Sequence, residues 1–317
     1  MNNYTFKDKK IAFLCDENIP NYIYYPEKYN YITGKHSATA YYYWILKNFG
    51  FDNIFLVSEY DCLDDYDLVI FHYDNANCIN VLKKYKTMQI VTDRPQVPNI
   101  DLYACCNLSV FNYILNTDLI QHMGVGLKNV LSGKLTYIPY PMTLNYKKCK
   151  ASWPPKIYHF TGDSRTLLDG ISSDVFVNHM KNKGVNLRFN FKTDETYGDE
   201  DVYFCVRRKT SYFSNKANGN NVDTKFGQIT ANRLYQSWKM GTPLIISPTS
   251  AMGAIYKSEY DFLIAGDLNE LEYQSLRLLN DENLFKKMIE NGNKRKDEHN
   301  NYTIVKHFVK AFNMIFH

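Results

Sequence analysis

No two of the seven cysteines in this 317-residue chain are spaced as CxxC, and their number is odd. They are Cys15, Cys62, Cys78, Cys105, Cys106, Cys149 and Cys205, and several of them stand inside apolar strand-like runs. That pattern excludes a zinc site built on cysteine pairs, argues against a disulfide frame, and predicts reduced core thiols in a cytosolic protein. Charge of one sign is also scarce. The net charge is +4, spread along the chain, so the field of a nucleic-acid-binding surface is missing. The one short basic run, "NYKKCK" (145–150), reads as a solvated linker. No apolar run reaches the roughly 18 residues of a spanning helix, so none is expected. The opening "MNNYTFKDKK" lacks an apolar h-region, which predicts no signal peptide. No GxGxxG follows the first strand; "CDENIPNY" stands there instead, which disfavours a nicotinamide-dependent oxidoreductase. Internal repeats and long low-complexity segments are absent.

What is present suffices for sizeable cores. Hydrophobic residues make up 45% of the chain, and the length fits about two domains. Short apolar runs alternate with helical patterns: "KIAFLCD" (10–16), "NIFLVS" (53–58), "DLVIFHY" (67–73), "MQIVTD" (88–93), "LYACCNLS" (102–109) and "LTYIPYP" (135–141) read as strands. "SATAYYYWILKNFGF" reads as a helix with Ser37 as N-cap and Gly50 as its stop. The segment 142–156, basic and carrying Pro154 and Pro155, reads as an interdomain linker. The alternation then restarts with "IYHFTG" (157–162), "LRFNF" (187–191), "VYFCVRR" (202–208), "PLIIS" (243–247) and "YDFLIA" (260–265). The last fifty residues read as helices, with Asn269 and Asp281 as caps of the first two. This predicts an α/β protein of two Rossmann-like domains, 1–145 and 156–300, whose parallel sheets face one another across a cleft holding a ligand at the strands' carboxyl ends.

One stretch poses a functional question. In "ITANRLYQSWKMGTPLIISPTSAMG" (229–253), Ala231, Leu234, Tyr235 and Trp238 form an apolar stripe at helical spacing, while Asn232, Arg233, Gln236, Ser237 and Lys239 share the other side. Gly241 and Pro243 end the helix. An ordinary amphipathic surface helix is one reading. The other is a ligand-holding helix, because Arg207, Arg208 and Lys209 end the preceding strand, and arginine forks with a helix N-terminus suit diphosphate oxygens.

The order of these features over about residues 200–296 resembles the carboxy-terminal domain of GT-B glycosyltransferases. The matching residues are the Gly241-Thr242-Pro243-Leu244-Ile245 turn and strand, the small-residue loop Ser250-Ala251-Met252-Gly253, the Asp261-Phe262-Leu263 strand, and the helix from Asp281 through Gly292. The resemblance implies that Arg207 and Arg208 meet the diphosphate. It implies that Asn232, Arg233 and Ser237 face the nucleotide or donor sugar, and that Thr161 and Gly162 form the strand-loop near the phosphates. Ser250, Ala251 and Met252 would lie near the transferred sugar. Many retaining members carry two Glu eight residues apart; here that spacing holds Gln228 and Gln236, whose amides can bond a hydroxyl but supply no carboxylate. The last helix, 301–317, is expected to pack back on the first domain, with peripheral membrane contact as the competing role of its apolar face.

The resemblance thus implies transfer of a sugar from a nucleotide-sugar to a carbohydrate or lipid-linked acceptor, with no metal and no other cofactor, in a cytoplasmic protein of polysaccharide biosynthesis. A two-domain protein that binds nucleotide or sugar without turnover is the alternative. An inverting reaction needs a base on the acceptor. His36, in "TGKHSA" (33–38), and Asp93, in "TDRP" (92–95), are the candidates, and His72 is a weaker one. "DCLDDYD" (61–67) reads as a solvated turn before a strand rather than a metal motif.

Overall fold

The computed structural model describes residues 6–15, 34–58, 61–79, 83–91, 99–106, 134–140, 148–161, 167–191, 198–207, 232–248 and 255–317, with single residues 108, 111 and 164. The chain divides into two compact units, Met1–Thr143 with His299–His317, and Leu144–Glu298.

The first unit is built on β1 (Ile11–Cys15), α1 (Gly34–Asn48), β2 (Ile54–Ser58), β3 (Leu68–His72), β4 (Lys86–Val91), β5 (Leu102–Cys105) and β6 (Leu135–Tyr137). The strands pair in the order β2-β1-β3-β4-β5-β6, every pair parallel. β1, β3 and β5 are buried at every position, which explains their unbroken apolar runs: a parallel sheet covered on both faces leaves no polar side. α1 begins at Gly34, three residues before Ser37, so that serine lies inside the first turn rather than capping it. "DCLDDYD" contains a single 3-10 turn, Leu63–Asp65. Asp67 at its end accepts from the Lys9 ammonium at 3.1 Å and the Lys10 N–H at 2.8 Å.

The second unit contains β7 (Ile157–Thr161), α2 (Asp174–Asn182), β8 (Asn186–Asn190), β9 (Val202–Cys205), α3 (Asn232–Met240), β10 (Leu244–Ile246), β11 (Leu263–Ile264), α4 (Leu268–Asn280) and α5 (Glu282–Arg295). Its strands pair in parallel in the order β11-β10-β9-β7-β8. Asp281 caps α5, accepting from the Leu284 N–H at 2.9 Å. α4 is capped by Asp267, which accepts from the Glu270 N–H at 2.8 Å; Asn269 is already helical, and a cap must sit on extended backbone before the first turn. β11 is shorter than its apolar run because the Asp261 carboxylate takes the N–H groups of Lys257 and Ser258, at 2.8 and 3.0 Å, and holds 257–261 as a turn.

The described end of the linker is mostly exposed, as its composition predicts, but it is fixed in place. Asp201, just before β9, accepts from Ser152 N–H and hydroxyl and from the N–H groups of Lys156 and Ile157, all at 2.8–3.0 Å. Cys149, inside the basic run, is buried and its N–H donates to the Met240 carbonyl at 2.8 Å.

The chain returns to the first unit in α6 (Asn301–Phe316). Ile304, Val305, Phe308, Ala311, Phe312 and Ile315 are buried there with Phe6, Phe13, Tyr42 and Ile45. At about 1.5–3 kcal/mol for each large apolar side chain removed from water, this helix is an integral wall of that core. The apolar face that could have rested on a bilayer is therefore covered. Among the described residues no helix is long and apolar enough to cross a membrane.

Candidate functional site

In their own strand numbering the sheets follow the doubly wound orders 2-1-3-4-5-6 and 2-1-3-4-5, so each has a switch point where successive crossovers leave to opposite sides: between β1 and β3, and between β7 and β9. A crevice forms outside the carboxyl ends of the strands at such a point. In the second unit those ends are Thr161 on β7 and Cys205 on β9. α3 connects β9 to the parallel β10, so it runs back against them and its first turn lies at the same edge.

Alternation along β9 puts Tyr203, Cys205 and Arg207 on one face. Arg207 is half-buried and held in three ways. Its N–H donates to the Ser247 hydroxyl at 2.6 Å, its side-chain Nε–H to the Cys205 sulfur at 3.2 Å, and its backbone bridges Leu167 in antiparallel fashion. Tyr203 is fully buried under α3. The Arg233 guanidinium donates to the Tyr203 hydroxyl at 2.7 Å and to the Gln236 side-chain carbonyl at 3.0 Å, and Tyr203 and Gln236 stand 3.5 Å apart. Arg233 and Gln236 are one helical turn apart and so share a face. The three side chains close a ring at the start of α3.

α3 is not a surface helix. Leu234 through Trp238 are all buried. On its far side α5 approaches so closely that a Cβ on Gly292 would lie 2.7 Å from the Trp238 ring, which is why glycine stands there. The Arg295 guanidinium lies 4.6 Å over that ring and pairs with Asp261 at 2.5 Å. Burial opposes ionisation of Asp261, but hydrogen bonds from Lys257, Arg295, Asn291 and Ser258 hold its carboxyl below the ordinary range. Ser237, fully buried, donates to the Leu234 carbonyl at 2.8 Å. Gly241, at φ +78°, ends the helix as its sequence predicts, its N–H bonded to Ser237 O at 2.9 Å.

Behind Tyr203, on the neighbouring β7, His159 stacks with it at 6.4 Å and faces the buried Glu200 at 4.0 Å. Burial pushes the His159 imidazole down to about 4 against the upward pull of Glu200, so the ring is neutral at physiological pH.

The structure thus joins Arg233 and Gln236 to Tyr203 of β9, four residues before Arg207 on the same face of that strand, while Thr161 ends the neighbouring β7 and Asn232 begins α3. His36 falls in the first turn of α1, and only its backbone is described. Asp93, Gly162, Arg208, Ser250, Ala251 and Met252 lie outside the described residues, as do the side chains of Thr161 and Asn232. His72 ends β3 and is buried. Among the described residues no group of three His, Cys, Asp or Glu could hold a metal ion. An open groove lined by Lys9, Lys10, Asp67 and Lys86 lies at the amino ends of the first unit's strands, the wrong end for a switch-point site. Sequence reasoning missed Tyr203. Its signal was the period-two alignment with Arg207, hidden because the whole strand is apolar enough to be read as core.

No family model matches the chain, and no curated protein matches it in sequence. Solved structures do match in fold. Anabaena HepE in complex with UDP-glucose gives a TM-score of 0.56 at 10% identity, over 96% of this chain and 99% of that one. A variant of S. aureus TarM in complex with fondaparinux, alpha-GlcNAc-glycerol and UDP gives 0.51 at 9% identity, over 87% and 59%. A GtfA/B complex gives 0.51 at 9% identity, over 88% and 60%. The chain therefore spans the whole of HepE and less than two thirds of TarM and of the GtfA/B chain. These neighbours are GT-B glycosyltransferases, and the chain has their fold: α/β, with two parallel Rossmann-like sheets of six and five strands.

Proposed function

We propose that the protein is a glycosyltransferase that moves a sugar from a nucleotide-sugar donor to a carbohydrate or lipid-linked carbohydrate acceptor in polysaccharide biosynthesis, without a metal ion. The observation that carries this reading is Arg233, held by Tyr203 and Gln236 in the first turn of α3 beside the switch point of the second sheet. When the anomeric C–O bond breaks, the nucleoside diphosphate leaves with growing negative charge. Fixed cations and a helix N-terminus stabilise that charge in place of a metal. In this reading Arg207, Arg208 and Arg233 meet the diphosphate, Thr161 and Gly162 let it approach, and Asn232 faces the nucleotide. Ser250, Ala251 and Met252 neighbour the transferred sugar. Ser237, whose hydroxyl is engaged by its own helix, contributes packing. For an inverting transfer, His36 or Asp93 takes the acceptor proton. The seven cysteines are all reduced, which supports a cytoplasmic location. Peripheral membrane contact would have to use a surface other than the buried face of α6.

The test is calorimetry with UDP and UDP-glucose, with and without chelator; UDP comes first because the HepE and TarM structures hold UDP or UDP-glucose. Binding should persist in chelator. Arg233→Ala or Arg207→Ala should weaken it about ten- to a hundred-fold, the worth of a charge-assisted hydrogen bond. Failure of every nucleoside diphosphate to bind, or strict dependence on a divalent ion, sinks the reading. Binding without turnover is the second reading. It is favoured by the Gln236 amide, engaged by Arg233 and Tyr203, where many retaining relatives carry a Glu. Donor binding with neither transfer nor release of free UDP would establish it.

A further inference from the structure

We infer that Tyr203 is a positioning residue for nucleotide binding: its buried hydroxyl presets the Arg233 guanidinium before any ligand arrives. The inference rests on the nucleotide-sugar reading above and goes beyond it, because Tyr203 itself belongs to the strand and not to the crevice.

The argument is one of pre-organisation. A free arginine side chain carries substantial rotamer entropy, and a site that must freeze it on binding loses affinity accordingly. Here the freezing is done in advance. The Tyr203 ring is fully buried in β9, whose backbone is paired on both sides, with β7 and β10. On its β7 side the ring stacks on His159 at 6.4 Å and 23°. Its hydroxyl therefore projects from a rigid base. It accepts from Arg233 at 2.7 Å, short for a hydrogen bond from nitrogen, as a charged donor makes it. Gln236 accepts from the same nitrogen at 3.0 Å, so two fixed acceptors define the guanidinium position. Both anchoring groups are neutral, so neither cancels the cation they aim. Phenylalanine at 203 would keep the ring, the stacking and the burial, and remove the acceptor alone.

The experiment is calorimetry with UDP on the full chain as wild type, Tyr203→Phe, Arg233→Ala and the double variant, together with thermal unfolding of each without nucleotide. Tyr203→Phe should weaken UDP about three- to tenfold, the net worth of one ordinary hydrogen bond. Its ligand-free unfolding temperature should stay within a few degrees of wild type. The double variant should bind no more weakly than Arg233→Ala alone, because Tyr203 acts through Arg233. A purely structural role predicts the opposite, losses that add in the double variant, and that result overturns the inference. So does unchanged affinity in Tyr203→Phe while Arg233→Ala loses its own. If the wild type binds no nucleoside diphosphate, the nucleotide-sugar reading falls and this inference with it, a result distinct from the other two.

Discussion

In the first unit the described buried polar residues are Thr39, His72, Asn75, Thr87, Gln89 and Thr136; in the second they include Glu200, Asp201, Asp261 and Arg295. The two units share a strand order, yet one interior is closed by apolar packing, with α6 as its wall, and the other is pinned by charge. Each buried charge in the second unit fixes a particular piece of irregular chain. Asp201 holds the end of the linker. Glu200 accepts from the Gly198 N–H and the Cys149 thiol, at 2.8 and 3.2 Å. Asp261 and Arg295 hold the turn before β11 and the carbonyl of Ile255. Buried ions are poor sources of stability compared with well-packed apolar groups, but breaking a pair leaves an uncompensated charge. The contrast teaches that the second unit places its loops by contacts that tolerate no slippage, which a site made of loops and strand ends requires.

The largest effect should come from removing one charge. Arg295→Ala leaves Asp261, whose side chain is fully buried, without its cation and should cost the second unit about 3–5 kcal/mol. Urea unfolding followed by Trp238 fluorescence measures it. A loss below about 1 kcal/mol, the level of an exposed pair, would show that charge does not pin this unit. A smaller effect is expected from Gly292→Ala, where the new Cβ meets the Trp238 ring at 2.7 Å; overpacking of this kind costs about 1–3 kcal/mol. A neutral or stabilising result would mean that α5 and α3 can part without penalty.

The most selective effect, and the smallest at neutral pH, is on pH dependence. The folded His159 imidazole sits at about 4, below the unfolded value near 6.5. The unfolded chain therefore binds this proton first on acidification. The stability contributed by keeping His159 neutral is complete above about pH 6.5 and is lost as pH falls toward 4. His159→Phe should flatten that stretch of the stability curve by up to about one proton. The Asp261 carboxyl is held low, so its contribution is lost at more acid pH and does not overlap. An unchanged slope between pH 6.5 and 4 would remove His159 from the account.

Much of the fold was legible because parallel strands covered on both faces must be apolar throughout, and Gly241 and Asp281 carry local signals that need no tertiary partner. Caps were read less well. Asp267 and Asn269 are both competent residue types, and only the extended backbone at Asp267 decides between them. The polar cluster on α3 was seen, but its meaning was not. Gln236 and Ser237 were read as a face turned to ligand, whereas both are buried, Gln236 accepting from the Tyr203 hydroxyl of β9 and Ser237 bonded to its own helix. Tyr203 and Arg233 stand thirty positions apart, and no periodicity within one element can report a hydrogen bond between two. The same limit hid the roles of Asp201 and Arg295, whose partners lie across the unit.

The return of α6 to the first unit makes the second unit an insertion within it, and this bears on the order in which the protein can be completed during synthesis. Multidomain chains ordinarily finish their amino-terminal domain first as they emerge. Here the first unit's core lacks Phe308, Phe312 and their neighbours until residues beyond 300 have been made. The inserted unit, ending at Glu298, has all of its chain earlier. The half that begins first is therefore the half that closes last, and until then its exposed apolar sheet face is the nascent chain's point of exposure to misassociation.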